Sequence, residues 1–375
     1  MDVQPYKIEI PDTVLADLKA RLARTRWPDE IPGSDWDYGT NLAYLQELVE
    51  YWHSGFDWRA QESAINSFDH FRTTVDDLGI HFIHQEGKGP NPIPIILTHG
   101  WPGSFFEMYK LIPLLTDPGA NGADANDSFH VVVPSMPGYG FSDLTTRRGV
   151  NAASISDLWA QLMTKKLGYQ QFGGHGGDWG AGITARLGFA YPEHLLGIHV
   201  MALSGARRGA DQGTLSEAEQ ERRYSGGGYG HIQSTKPQTL SYGLNDSPAG
   251  LAAWIVEKYR AWSDCDGDVE RRFTKDELLT TITIYWVTQT ANSSARIYYE
   301  SRHNPWSIPE GESIKVPCGV AIFPRDIGRP SRDVAERSYN LQRWTEMPSG
   351  GHFAALEEPH LLAQELREFF RPLRD

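Results

Sequence analysis

Gly176-Gly177-Asp178-Trp179-Gly180-Ala181 is the stretch on which the reading of this 375-residue chain turns. Its order is small, any, candidate nucleophile, any, small, small. A strand that turns at once into a helix leaves no room for side chains at the flanking positions. The turn then pushes the middle residue out at the carboxyl edge of a sheet, and the helix amino terminus behind it favours negative charge. The occupant is an aspartate, where most such turns carry serine. On these residues alone, an aspartate that merely caps a helix after a glycine-rich turn also fits the spacing.

Outward from this turn, short apolar runs alternate with helical patterns. Strands are expected at Ile93–Leu97, Phe129–Val133, around Tyr169–Phe172 and at Gly197–Met201. Helices are expected between them at Phe105–Leu115, Ile155–Leu167 and Ala181–Ala190. A hairpin is expected from Thr73–Val75 and Ile80–His84. The alternation predicts an α/β fold with a mostly parallel central sheet and helices on both faces. It stops at Ser204. A polar and then helical block follows (Gly250–Trp262, Lys275–Val287, Asn292–Glu300). The pattern resumes with a strand at Val316–Phe323, a helix near Arg332–Arg337, a strand near Arg343–Glu346 and a helix from Glu358 to Phe370. The first residues read as helical: Asp12 caps a helix with Val14, Leu15, Leu18 and Leu22 on one face, ended by Trp27-Pro28. Thr40 caps another carrying Leu45, Leu48, Val49 and Trp52. The expected organisation is an amino-terminal extension (1–69), a core (70–204 and 305–375) and an inserted helical cap (205–304).

The identity of Asp178 restricts the chemistry. A serine attacking a saturated carbon leaves an ether, which water does not readily cleave. A carboxylate leaves an ester, whose carbonyl can be hydrolysed, so the route is covalent and has two steps. Its substrates carry a leaving group on an sp³ carbon, chiefly epoxides and alkyl halides. Hydrolysis of the ester needs a base. Of 13 histidines, His352 is preferred because it follows Gly350-Gly351 on the loop after the last expected strand. Asp326, after the strand Val316–Phe323, can accept the other imidazole N–H, with Asp333 as the weaker candidate. His99-Gly100-Trp101-Pro102 follows Ile93–Leu97, so the backbone N–H groups of Trp101 and Trp179 are expected to form the oxyanion hole.

HGWPGS, PGYGFS, GGDWGAG and GGHFAALEEP together make the chain similar to epoxide hydrolases of the α/β-hydrolase fold. Arg24-Thr25-Arg26-Trp27-Pro28 resembles the extension of the microsomal-type and fungal members. The resemblance implies that Asp178 is the nucleophile, His352 the base and Asp326 the orienting acid, where many microsomal-type members have glutamate. It further implies two cap tyrosines that protonate the epoxide oxygen. Tyr229 and Tyr298 match them, with Tyr224 and Tyr299 as competitors. Substrate and water are then the partners, with a homodimer as the implied assembly. A haloalkane dehalogenase using the same triad, with an indole N–H of Trp179 on the halide, is the alternative in the same mechanistic class. A non-catalytic ligand-binding relative is the other.

Composition narrows the setting. The net charge of −13 leaves no basic excess for nucleic acid. Two isolated cysteines, Cys265 and Cys318, suit a reducing compartment. MDVQPYKIEIPD does not read as a signal peptide, no window suggests a membrane span, and the anchor of microsomal-type members is not seen, so a cytoplasmic, soluble member is expected. No metal or cofactor is expected. His81 and His84 lie three apart on a strand and face opposite sides, which disfavours a metal site.

Overall fold

The computed structural model describes residues 3–205, 217–328 and 331–374. Nine strands, β1 (Gln4–Pro5), β2 (His70–Val75), β3 (Leu78–Gln85), β4 (Ile93–Thr98), β5 (Phe129–Pro134), β6 (Phe172–Gly176), β7 (Leu195–Val200), β8 (Ile314–Ile322) and β9 (Tyr339–Glu346), form one sheet. Their order is β1-β2-β3-β5-β4-β6-β7-β8-β9. The pairs from β1 to β5 are antiparallel and those from β5 to β9 are parallel. The chain runs outward in one direction from β4 to β5 and in the other from β4 to β6. Such a reversal opens a crevice at the carboxyl ends of the strands, where ligands bind in open α/β sheets. His99 follows β4 and Asp178 follows β6, so both motifs arrive at that crevice.

Several elements differ from the sequence expectation, each for a physical reason. β6 is Phe172–Gly176 rather than Tyr169–Phe172. Its residues Gly173 and Gly174 have low strand propensity, but a Cβ on Gly173 would lie 2.6 Å from the Phe370 ring, so the glycine lets the closing helix Pro359–Phe370 sit against the strand. The hairpin turn is Asp76-Asp77, both with positive φ (48° and 64°), the conformation that two-residue hairpin loops require. The second helix, Leu42–Ser54, is capped by Asn41, which accepts from the Tyr44 N–H; the Thr40 hydroxyl instead donates to the Ala253 carbonyl at 2.7 Å. The first helix ends at Leu22, well before Trp27. Further helices at Trp58–Ile65, Glu217–Thr235 and Pro237–Leu244 were not expected.

The extension joins the sheet through β1 and grips the helices that interrupt it. Leu45, Leu48, Val49 and Trp52 are buried, as their spacing predicts. The Trp52 indole donates to Thr283 Oγ1 at 3.0 Å, and the Tyr51 hydroxyl to Asp276 at 2.9 Å. His81 bonds to His70 and Ser135, whereas His84 bonds to Tyr169, so the two face apart. Among the described residues no group of three or more His, Cys, Asp or Glu could hold a metal ion. No described helix is long and apolar enough to cross a membrane.

Trp52 is 1% exposed, and Trp52→Ala removes both its packing and the bond to Thr283. The expected loss is roughly 3–5 kcal/mol, read as a lower melting temperature in calorimetry. Trp52→Phe, which keeps most of the packing, should lose less.

Candidate active site

The turn from β6 into the helix Asp178–Ala190 is possible because the chain comes very close to its neighbours there. A Cβ on Gly180 would stand 2.0 Å from the Thr98 carbonyl oxygen. One on Gly176 would stand 2.3 Å from Gly180, and one on Gly100 2.3 Å from the Asp178 side chain. Asp178 itself has φ of +47°, a left-handed conformation that costs about 1–3 kcal/mol in a non-glycine residue and is held only by its surroundings. In return the carboxylate projects from the sheet edge. The amides of the first helical turn lack intrahelical acceptors. The Trp101 N–H donates to Asp178 Oδ1 at 2.9 Å. Trp179 opens the same helix with its amide among those orphan donors.

His99 is buried, and burial lowers its imidazole to about 4. Its Nδ1 lies 3.0 Å from the Gly100 carbonyl, and its Nε2 accepts from the Met136 N–H at 3.3 Å. This neutral ring therefore ties the Trp101 loop to the end of β5.

Two loops bring up the remaining polar groups. Arg325 N–H donates to the Gly350 carbonyl, and His352 N–H to the Trp262 carbonyl at 2.8 Å. His352 Nδ1 is 2.7 Å from Asp326 Oδ1, and its Nε2 faces Asp178 Oδ2 at 3.5 Å. The shorter aspartate side chain thus reaches the ring. Burial lowers the imidazole's pKa, but the carboxylates of Asp326 and Asp178 outweigh it and hold the pKa well above its usual value. Asp333 is on a separate helix, Arg332–Ser338.

Above Asp178 lie Tyr229, on the helix Glu217–Thr235, and Tyr298, on Ala291–His303. Tyr229 stacks on the Trp101 ring at 5.1 Å; Tyr298 meets Trp179 edge to face at 4.7 Å. The Tyr298 hydroxyl is buried and makes no hydrogen bond among the described residues. Burial, then the Asp178 charge, raises both phenols, so both stay protonated at neutral pH. Tyr224 is exposed and Tyr299 stacks on His303, so neither competitor joins the group. The helix of Tyr298 is pinned to the loop after β5: the Ser293 hydroxyl donates to the Gly138 carbonyl at 2.6 Å, and the Tyr139 hydroxyl to the Ser294 carbonyl at 3.0 Å. A cleft of about 600 Å³ reaches Trp179 and Tyr298 past His231, Asn304 and Trp306.

The family profile "Epoxide hydrolase N terminus" matches residues 3–108, and that of the "alpha/beta hydrolase fold" matches residues 93–225. The rabbit (Oryctolagus cuniculus) protein Epoxide hydrolase 1 is 40% identical, covering 98% of this chain and 88% of its own. The chain belongs to the epoxide hydrolase family. The structure of Aspergillus niger epoxide hydrolase superposes with a TM-score of 0.87 at 30% identity, over 100% of this chain and 97% of that one. Juvenile hormone epoxide hydrolase from the silkworm Bombyx mori gives 0.87 at 31% identity, over 99% and 94%. The fold is the α/β-hydrolase fold.

The epoxide hydrolase site also holds residues that the motifs did not single out. Trp262 meets the His352 ring edge to face at 5.1 Å and the Tyr229 ring at the same distance. Glu107 is buried, and burial pushes its carboxyl up to about 8, with His352 opposing and Asp178 adding. Its side chain fills the space a Cβ on Gly103 would need. No spacing in the sequence separates this glutamate from an ordinary helix-surface charge.

Gly180→Ala tests the close approach at the turn. The added methyl has no position that avoids the Thr98 carbonyl, so Asp178 must shift. A shift of about 1 Å should lower turnover by at least about 100-fold, measured as diol formed from an aryl epoxide. Activity near that of the parent would show that the turn tolerates a side chain.

Proposed function

We propose that this epoxide hydrolase opens its substrate by attack of Asp178 and releases a vicinal diol by hydrolysing the resulting ester. The observation that carries the reading is the unequal treatment of the two carboxylate oxygens. Oδ1 is held by the Trp101 N–H at 2.9 Å, whereas Oδ2 faces His352 Nε2 at 3.5 Å. Oδ2 is accordingly the attacking atom. Its bond to the epoxide carbon forms as the carbon–oxygen bond of the ring breaks. The released electron pair goes to the epoxide oxygen, which takes its proton from the phenols of Tyr229 and Tyr298.

The second step uses the charge balance around His352. While Asp178 is ionised, two carboxylates favour the imidazolium. Alkylation turns Asp178 into a neutral ester and removes one of them, while the burial that lowers the imidazole's pKa persists. The imidazolium then gives its proton up to restore the phenol that ring opening had deprotonated, and the imidazole is available as a base. It takes a proton from water, which attacks Cγ of Asp178. The oxyanion forms at Oδ1, where the amides of Trp101 and Trp179 receive it. Cleavage of the Cγ–Oδ2 bond expels the former aspartate oxygen, which takes the proton held by His352 and becomes a hydroxyl of the diol. The carboxyl proton left on Asp178 passes to the imidazole and restores the starting state. Residues 1–69, 70–204 with 305–375, and 205–304 act in this reading as extension, core and cap. A homodimer and a cytoplasmic location complete the proposal; sedimentation velocity tests the first and fractionation of the source cells the second.

A single turnover in ¹⁸O-labelled water, with enzyme in excess over a reactive aryl epoxide, should give a first diol that is mostly unlabelled. Immediate labelling of the diol would exclude the ester. His352→Gln should trap the alkyl-enzyme as a mass increase equal to the substrate. The pH dependence follows with a definite sign: the apparent pKa governing decay of the ester lies below that of His352 in the free enzyme, read by NMR. Equal values would rule out the charge exchange.

A further inference from the structure

One charged side chain stands among the aromatic rings of the site without touching the triad. Lys258 lies on the helix Pro248–Trp262 and is 6% exposed. Its Nζ stands 4.8 Å from the centroid of the Tyr229 ring, 5.4 Å from that of Trp254 and 5.9 Å from that of Trp262. All three fall within cation–π range, where the attraction grows as the cation is desolvated. Burying an ammonium is costly unless it is paired. Here Glu257 is the ion-pair partner. The pair is unequally exposed. The Glu257 side chain is 31% accessible and that of Lys258 8%. The ammonium is the member of the pair that stands over the Tyr229 ring, while the Glu257 carboxylate acts in the opposite sense and raises that phenol.

We propose that Lys258 strengthens Tyr229 as the acid of ring opening by holding a desolvated ammonium against the phenol ring. The inference rests on the reading of Tyr229 given above. A positive charge over the ring stabilises electron density that moves onto the phenol as its proton passes to the epoxide oxygen. It opposes burial and the carboxylates of Asp178 and Glu257, all of which make that proton harder to give. Lys258 is a positioning residue in this sense: it acts through Tyr229 and has no contact with Asp178. The proton itself is still supplied by Tyr229, and no other bond changes at Lys258.

The test separates ring opening from ester hydrolysis by rapid quench and mass spectrometry of the alkyl-enzyme, using aryl glycidyl ethers that release alkoxides of graded basicity. Lys258→Gln and Lys258→Met should each slow adduct formation about ten-fold, and Lys258→Arg by less than about three-fold. The slowing should grow with the basicity of the alkoxide, a trend that mere loss of packing would not produce. In a Tyr229→Phe background, adding Lys258→Gln should change adduct formation less than about two-fold, because the acid it acts through is gone. An equal effect in both backgrounds would overturn the proposal, as would unchanged rates in Lys258→Gln. If Tyr229→Phe alone forms adduct as fast as the parent, the role of Tyr229 fails and takes this inference with it, while Asp178 and His352 keep theirs.

Discussion

The approach of backbone to backbone around Asp178 is the constraint from which the rest of the site follows. Three glycines, at 100, 176 and 180, stand where any Cβ would collide with a neighbouring chain segment. Their absence of side chains lets β4 and β6 end side by side and lets the next helix begin at the sheet edge. Only then does the Trp101 N–H meet Oδ1. Fixing Oδ1 also fixes Oδ2 toward His352. In the proposed mechanism a backbone packing condition thereby decides which oxygen attacks and which becomes the oxyanion. The left-handed φ of Asp178 is tolerated because these contacts leave it no alternative.

The electrostatics of the site depend on sharing one imidazole between two carboxylates. In the proposed mechanism the resting arrangement is balanced, with the carboxylates of Asp178 and Asp326 both favouring a protonated His352. Such a ring is unsuited to take a proton from water. Covalent chemistry corrects this without any movement, because esterification deletes one negative charge at the moment a base is needed. That change is on the Nε2 side and leaves the contact of Nδ1 with Asp326 in place, so in the proposed mechanism the ring keeps its orientation through both steps. The phenols are affected in the opposite sense. They are hardest to ionise while Asp178 is charged, which makes any positive neighbour of Tyr229 most useful during ring opening.

Much of this was legible because it is written in short, local patterns. The turn at Asp178, the loop His99-Gly100-Trp101 and the pair Gly350-Gly351 before His352 are each set by one close contact that a glycine or a motif signals. The buried face of Leu42–Ser54 followed from helical spacing alone. The expected strand at Tyr169–Phe172 stops short of Gly173 and Gly174, which have low strand propensity; the reason for Gly173 is the Phe370 ring from a helix nearly 200 positions away. Asn41 took the cap from Thr40 because Thr40 is engaged with Ala253 of a distant helix. Lys258 and Glu107 could not be found at all. Each looks like an ordinary charged residue until its neighbours from other elements are in place.

The helix that bears Tyr229 makes the same point about tertiary control more sharply. Gly226, Gly227, Gly228 and Gly230 lie on it, and a Cβ built on any of them meets nothing within 4 Å. No close approach therefore explains them, and each disfavours the helix by about 0.8–1 kcal/mol relative to alanine. Local propensity argues against a helix there, which is why none was expected. What favours it is the packing of Tyr229 against Trp101, Trp262 and Tyr298, with Lys258 over the ring. The contacts that place the phenol over Asp178 are thus among those that hold its helix together. Tyr229 and the element that carries it are stabilised by one cluster, so in the proposed mechanism a change to any of those rings acts on the fold of this helix and on ring opening at once.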